Sequence, residues 1–355
     1  MSGKLREGYT TGACAAASAK AAVTLLLGSP PLREVDIPMP GGGRVVLPLE
    51  LAETRGASAM AAVRKDAGDD PDITNGALVM ASVSLENGED VTFSAGEGVG
   101  VVTKKGLQIP PGEPAINPGP RQMITNAVRE VTSKGVRVTI SIPGGRELAQ
   151  KTFNPRLGVE GGLSILGSTG IVRPYSHPAL RESLKCALEV ALAGGNEFLV
   201  FTAGNIGSKT ALALLDVKPE AVVEVSNEWG FMLDTVRGKP VKALLVAGHP
   251  GKLAKLAGGY WDTHSSRSGS AVPIVSALAS KTLGVSMEGH STVEGIFETL
   301  TGAEINTVAS ALAERVRQAV LAKVEQKFPV AVALVDMKGR ILGDSGDMGP
   351  WPKKG

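Results

Sequence analysis

Aromatic side chains are scarce in this 355-residue chain: Phe, Tyr and Trp together make up 4%. That argues against a protein that grips nucleic acid by stacking bases on aromatic platforms. Charge of one sign is missing as well. With 37 basic against 35 acidic residues the formal net charge is +2, so no global field exists to hold DNA, RNA or an anionic membrane. An anionic ligand has to be met by a local cluster instead. There are only two cysteines, Cys14 and Cys186, both in Ala/Leu-rich helical runs. They read as small buried hydrophobes in a reducing cytosol, not as a disulfide or a catalytic thiol. No Cys/His spacing of the zinc type occurs, and no metal site is expected. No apolar run approaches the ~20 residues of a membrane span. The opening MSGKLREGYTTG lacks an apolar core before a cleavage site, so the expected location is the cytoplasm.

What is present is an ordinary apolar fraction, 43%, with abundant glycine (45) and proline (22). This suits closely packed backbone and many shaped loops, and the length favours two domains. The run GYTTGACAAASAKAA predicts a helix built from alanine-sized side chains, either packed very closely or reserving its first turn for a ligand. REVDIPMPGGGRVVLPLE reads as two strands joined at Gly41–Gly43, and ALVMASVSLENGEDVTFSAG as a hairpin about Asn87-Gly88. ETRGASAMAAVRKDAGDD reads as a helix running into an acidic loop, GPRQMITNAVREVTSK as a helix with Pro120 near its first turn, and GVRVTISI as a strand. The first half is therefore expected to be an α+β domain with mostly antiparallel strands, over residues 1–150. The second half alternates short apolar strands with helices (RESLKCALEVALAGG, EFLVFTAG, SKTALALLD, AVVEVSN, KALLVAG, LAKLAGG), the pattern of βαβ units. It predicts a Rossmann-like three-layer α/β domain with a parallel sheet over 151–328. A long helix over Asn306–Lys327 and a closing hairpin near 329–346, assigned to the first domain, complete the chain.

Several stretches are candidates for chemistry. DAGDDPDIT brings Asp66, Asp69, Asp70 and Asp72 into one loop, without the glycine and glutamate an EF-hand needs. It is either a solvated turn or a carboxylate set that holds a cation or keeps one acid protonated. AGNIGSKTAL and AGHPGKLAKL share one design: apolar strand, glycine turn, then a helix with an early lysine. Each alone is equally well explained as a tight βα turn that needs glycine for its geometry, but at the carboxyl ends of parallel strands such turns bind ligands, and their pairing favours a nucleoside-like one. Neither is a phosphate loop or a GxGxxG fingerprint. SNEWG offers Asn227 and Glu228 for ribose hydroxyls or as helix caps. GSTG (167–170) presents hydroxyls and amides to an anion, and WDTHSSRSG collects Thr263, His264 and Ser265.

Together GYTTGACAAASAKAA, DAGDDPDIT, GEGVGVVTKKGLQIPPGEPAINPGPRQMI, FNPRLGVEGGLSILGSTGIVRP, FTAGNIG and GHPGKLAKLAGGYWDTHS resemble the CbiD family, in the same order and over nearly the whole chain. Ser168 stands where the family pattern has threonine, and SSRSG lacks the acid expected after THS. The resemblance implies S-adenosylmethionine as methyl donor and a cobalt-bound corrinoid precursor as acceptor, methylated at ring carbon C-1 during anaerobic cobalamin synthesis. Cobalt would arrive only with the substrate. On this basis Asp66, Asp69, Asp70 and His264 are candidate catalytic residues. Gly204, Asn205, Gly207, Asn227, Glu228, Gly248, His249 and Gly251 are donor-binding candidates. Thr10, Thr11, Lys104, Lys105, Arg121, Ser168, Thr169, Arg173, Lys252, Thr263 and Ser265 are candidates for the acceptor and its carboxylates. No nucleic-acid or membrane partner is expected, and a homo-oligomer stays open. Two other classes fit the glycine turns or the basic residues less well: a nucleotide-dependent kinase or ligase, and a non-catalytic tetrapyrrole carrier.

Overall fold

The computed structural model describes residues 5–354. The chain divides into two compact units, one ending at His177 and the other beginning at Pro178. The division comes later than residue 150 for a visible reason. The segment after 150 returns to the first unit, where Val159–Glu160 pairs with Val101–Val102 and Ile171–Val172 with Gly8–Tyr9.

In the first unit a five-stranded sheet runs in the order Leu51–Arg55, Ser58–Arg64, Leu78–Glu86, Gly135–Ser141, Val91–Ala95. All neighbours are antiparallel except the last pair. The predicted helix over residues 53–64 is thus a strand pair turning at Gly56, whose φ of 62° suits glycine. Its alanines alternate: Ala59, Ala61 and Val63 share a core with the opening helix, Thr11–Leu26. Small side chains on the strand and on the helix let the two approach, and this tertiary fit overrides alanine's helical preference. The helix is buried almost all round, against the sheet on one side and the helix Pro118–Arg129 on another. The Asn87-Gly88 hairpin also differs from expectation. Both strands form, but Gly135–Ser141 lies between them, its Gly135 N–H donating to Gly88 O at 2.7 Å. The hairpin of Glu34–Pro38 and Arg44–Pro48 forms as read.

The second unit is the expected three-layer α/β structure. Its sheet runs Val222–Glu224, Phe198–Thr202, Ala243–Gly248, Val330–Val335, Ile341–Ser345, with the first four strands parallel. Alternate strand residues face two cores. Phe201, Val246 and Val332 meet the helices on one side; Val200, Leu245 and Ala331 face Ala211, Leu215 and Trp351 on the other. The closing hairpin extends this sheet instead of joining the first domain, because Val330–Val335 is apolar on both faces and pairs with Ala243–Gly248. The long helix begins a turn earlier than read, at Gly302, where Thr301 and Glu304 form a capping box.

Candidate active site

The first unit accounts for many of the sequence candidates structurally. Thr10 caps the opening helix, its hydroxyl accepting from Ala13 N–H at 3.1 Å. Thr11 Oγ1 accepts from Leu166 N–H at 3.0 Å, and Gly12 N–H donates to Leu166 O at 3.1 Å. Both threonines are buried: the Thr10 hydroxyl caps its own helix, and the Thr11 hydroxyl ties that helix to Leu166 just before the GSTG turn. Thr169 bonds its own turn at Ile171, while Ser168 is exposed and packs against Gly119.

The acidic loop is likewise a structural knot. Arg6 donates to Asp66 at 2.9 Å through its guanidinium and to Asp69 at 2.6 Å through its backbone N–H; Asp70 accepts from Tyr175 N–H at 3.0 Å. Buried Lys65 pairs with Asp72 at 2.6 Å. The Arg6 guanidinium and the Gly68 amide hold Asp66 below the usual carboxylate range. Burial works against ionisation of Asp72, yet Lys65 and Thr74 outweigh it and its pKa also falls. A protonated acid kept ready for proton transfer is therefore not what Asp66 or Asp72 provides. Of the basic candidates, Arg121 donates to Ile116 O at 2.8 Å and stacks over Phe93, Arg173 bonds Glu7 at 3.1 Å, and Lys104 packs over Gly158. Lys105 is exposed on its loop.

The second unit brings its candidates together. Phe198–Thr202 has a neighbour on each side, Val222–Glu224 and Ala243–Gly248, so the connections leave the sheet in opposite directions beyond its carboxyl end. A crevice at such a switch point is where open α/β sheets take ligands. The turns at Gly204–Gly207 and Gly248–Lys252 follow the two strands that flank this point. Gly207 sits so close to the neighbouring strand that a Cβ there would lie 2.9 Å from Ala247 O. Thr202 and Ser208 hydroxyls meet at 2.7 Å beneath the first turn, and Asn205 is exposed at the start of its helix.

Glu224, the last residue of Val222–Glu224, was not singled out from the sequence. Its Oε1 lies 3.8 Å from where a Cβ at Gly204 would be, and Ser208 Oγ approaches its other oxygen at 3.5 Å. The available signal was a lone carboxylate closing the apolar strand AVVEV. Glu228, read as a ribose acceptor, is instead buried and bonded to Arg181 Nε at 2.6 Å, at the head of the helix Trp229–Arg237. Asn227 does face the crevice turns: its Oδ1 accepts from Lys252 Nζ at 2.8 Å and from Thr263 Oγ1 at 3.2 Å. Thr263 N–H and Gly230 N–H latch the WDTHS loop onto this turn, through Asn227 O and Trp261 O. Thr263 thus positions the loop from a buried place. His264, read as a catalytic candidate, is exposed and caps the short helix Ser265–Ser268 through Nδ1.

Beyond the second turn lies a cavity of about 470 Å³, with His249, Gly251, Lys255, Ser265, Ser270 and Glu294 in its wall. His249 caps the helix Pro250–Ala257, its Nδ1 accepting from Gly251 N–H at 3.1 Å. The hydrogen of the neutral ring therefore sits on Nε2, which donates to Glu294 Oε2 at 2.7 Å. Burial, and then the neighbouring Lys255, push the Lys252 pKa down. Among the described residues no group of His, Cys, Asp and Glu is arranged to hold a metal ion.

A family model described as CbiD matches residues 1–174, and one described as CbiD, C-terminal domain, matches residues 262–346. A relative from Syntrophotalea carbinolica is 52% identical over 347 residues, covering 98% of this chain and 99% of its own. The chain belongs to the CbiD family. That relative is named cobalt-precorrin-5B C(1)-methyltransferase, as is one from Methanocaldococcus jannaschii that is 44% identical over 96% of both chains. A CbiD crystal structure from Archaeoglobus fulgidus, described as a cobalamin biosynthesis protein, is 29% identical with a TM-score of 0.39, covering 74% of this chain and 83% of that one. The glycine turns lie between the two stretches that the CbiD models match, whereas the wall formed by Ser265, Ser270 and Glu294 lies inside the second.

Proposed function

We propose that this chain transfers a methyl group from S-adenosylmethionine to ring carbon C-1 of cobalt-precorrin-5B, giving cobalt-precorrin-6A in cobalamin biosynthesis. The observation that carries the reading is the 52% identity to a cobalt-precorrin-5B C(1)-methyltransferase along essentially the full length of both chains. The similarity runs through both units of the chain. Cobalt enters as part of the substrate.

The crevice fits a nucleoside donor. A glycine turn follows one strand, a carboxylate ends the next, and both stand at the switch point of a parallel sheet. In this reading Glu224 accepts from the ribose hydroxyls and the backbone at Gly204–Gly207 lets the ligand approach closely. When bound, the donor supplies an electrophilic methyl on a sulfonium, so neither a protein nucleophile nor a protein-held metal is required. C-1 carries no proton to remove, so the protein's work is to align carbon with methyl and to keep water out. Lys252, bonded to Asn227 and set beside the second turn, suits a carboxylate of either ligand.

The test is incubation of the purified protein with cobalt-precorrin-5B and S-adenosylmethionine labelled in the methyl group. The expected result is one labelled methyl on C-1 and release of S-adenosylhomocysteine. Absence of S-adenosylhomocysteine binding by calorimetry, with ATP bound in its place, would refute the reading in favour of a nucleotide-dependent enzyme.

A further inference from the structure

Lys255 lies in the wall of the cavity beyond the second turn and is 6% exposed. Its ammonium donates to Thr263 O at 3.1 Å and to Ser268 Oγ at 2.9 Å, both neutral acceptors. Three donors serve two acceptors, so one N–H remains, and no carboxylate lies within ion-pair distance of it among the described residues. A buried charge without a counter-ion is costly, and folded proteins rarely keep one without a purpose. Lys252, on the same helix, is a second cation: burial and then Lys255 lower its pKa while Glu224 raises it, and its own bond goes to the neutral Asn227 amide. Two ammonium groups of one helix therefore act on each other, and the hydrogen bonds of both go to neutral oxygens.

The rest of the wall repeats this polarity. Ser270 Oγ accepts from Val272 N–H at 3.1 Å and Thr292 Oγ1 from Gly295 N–H at 3.0 Å, which leaves each hydroxyl an O–H to donate. The first turn of the helix Val272–Leu283 adds its positive end. The one acid in the wall, Glu294, is already bonded by His249 Nε2–H at 2.7 Å. Unused donors from Lys255, Ser270 and Thr292 thus line one space, with Glu294 held aside by His249.

We propose that this cavity is a carboxylate subsite anchored by Lys255, with the Ser270 and Thr292 hydroxyls as auxiliary donors. The subsite follows from the cavity itself. That its occupant belongs to a methyl-transfer reaction rests on the function proposed above, which offers two sources: the amino-acid end of the donor or an acid side chain of the macrocycle.

Lys255→Gln keeps a donor toward Thr263 O while removing the charge, and Lys255→Met removes both. Wild type and variants are titrated with S-adenosylhomocysteine and with 5′-methylthioadenosine, which lacks the amino-acid end, and the KM for the tetrapyrrole is measured. A loss of about tenfold or more in S-adenosylhomocysteine affinity, with 5′-methylthioadenosine unchanged, assigns the subsite to the donor. Unchanged donor affinity with a tetrapyrrole KM raised as much assigns it to the macrocycle. No change in any of these for a folded Lys255→Gln protein overturns the proposal and leaves methyl transfer untouched. If wild type fails to bind S-adenosylhomocysteine, the methyl-transfer reading falls, and thermal melts in sodium acetate against sodium chloride of equal ionic strength decide the subsite. Stabilisation by acetate in wild type and not in Lys255→Gln supports it, and equal responses overturn it.

Discussion

Replacing Gly8 by alanine tests whether the opening motif is packing or ligand chemistry. A Cβ at Gly8 would lie 2.5 Å from Ala67 Cα, with the Ala67 carbonyl carbon and Gly68 N nearer still. All three are backbone atoms and cannot rotate away. Ordinary carbon–carbon contact is about 3.5–4 Å, so the two segments must separate by roughly 1 Å or more. They are joined by Tyr9 N–H to Asp66 O at 2.7 Å and Asp69 N–H to Arg6 O at 2.9 Å, which such a shift breaks. Two bonds at about 1 kcal/mol each, added to about 1–3 kcal/mol of overpacking, predict a loss of about 3–5 kcal/mol for Gly8→Ala. Gly41 is the control: nothing lies within 4 Å of its added Cβ and its φ is not in the left-handed region. Gly41→Ala should be neutral or stabilise by a few tenths of a kcal/mol, through the unfolded chain. All three tryptophans, Trp229, Trp261 and Trp351, lie in the second unit, so fluorescence does not follow the first. Native-state hydrogen exchange of the strands Ser58–Arg64 and Leu78–Glu86 does. A Gly8→Ala protein that keeps its protection within about 1 kcal/mol would refute the steric argument.

Three further outcomes are expected. Glu224→Gln should weaken S-adenosylhomocysteine about tenfold or more in a protein that stays folded; calorimetry that finds unchanged affinity removes Glu224 from the site. Asp69→Ala should leave both substrate affinities unchanged and cost about 1 kcal/mol through the lost bond from Arg6 N–H, measured by kinetics beside urea unfolding. Glu130, bonded by Arg44 and by Lys20, has its pKa lowered to about 2 from 4.5. Because the folded-state value lies below the unfolded one, its stabilisation is complete above pH 4.5 and is lost as pH falls toward 2. Glu130→Gln should therefore flatten the acid limb of first-unit stability between those values, and an unaltered limb in hydrogen-exchange measurements would count against the network.

Local pattern carried much of this protein. Alternation of short apolar strands with helices was enough for the parallel sheet of the second unit, because a strand buried on both faces and a crossover helix leave separate signatures within about ten residues. The glycine turns after Phe198–Thr202 and Ala243–Gly248 were legible for the same reason, and the ordered motifs were enough for the family. What lay outside any local window was decided by tertiary contact. ETRGASAMAAV has alanine's helical preference, yet the opening helix needed small side chains on a strand to lie against, and the strand prevailed. Val91–Ala95 follows a strong turn signal, but Gly135–Ser141, more than forty residues later, takes the place beside Leu78–Glu86. The same holds for the site. Thr10, Thr11 and the aspartate loop look like ligand chemistry in sequence because hydroxyls and carboxylates serve caps and knots equally well; only their partners, Leu166, Arg6 and Tyr175, reveal which. Glu224 and Lys255 were invisible for the converse reason. One ends a strand and the other lies in the last turn of a helix, and nothing local says that the first adjoins a glycine turn or that the second is buried with neutral hydrogen-bond acceptors. Sequence by itself determined most of the elements and the lineage; long-range packing decided the strand pairing of the first unit and which polar groups serve as caps and knots.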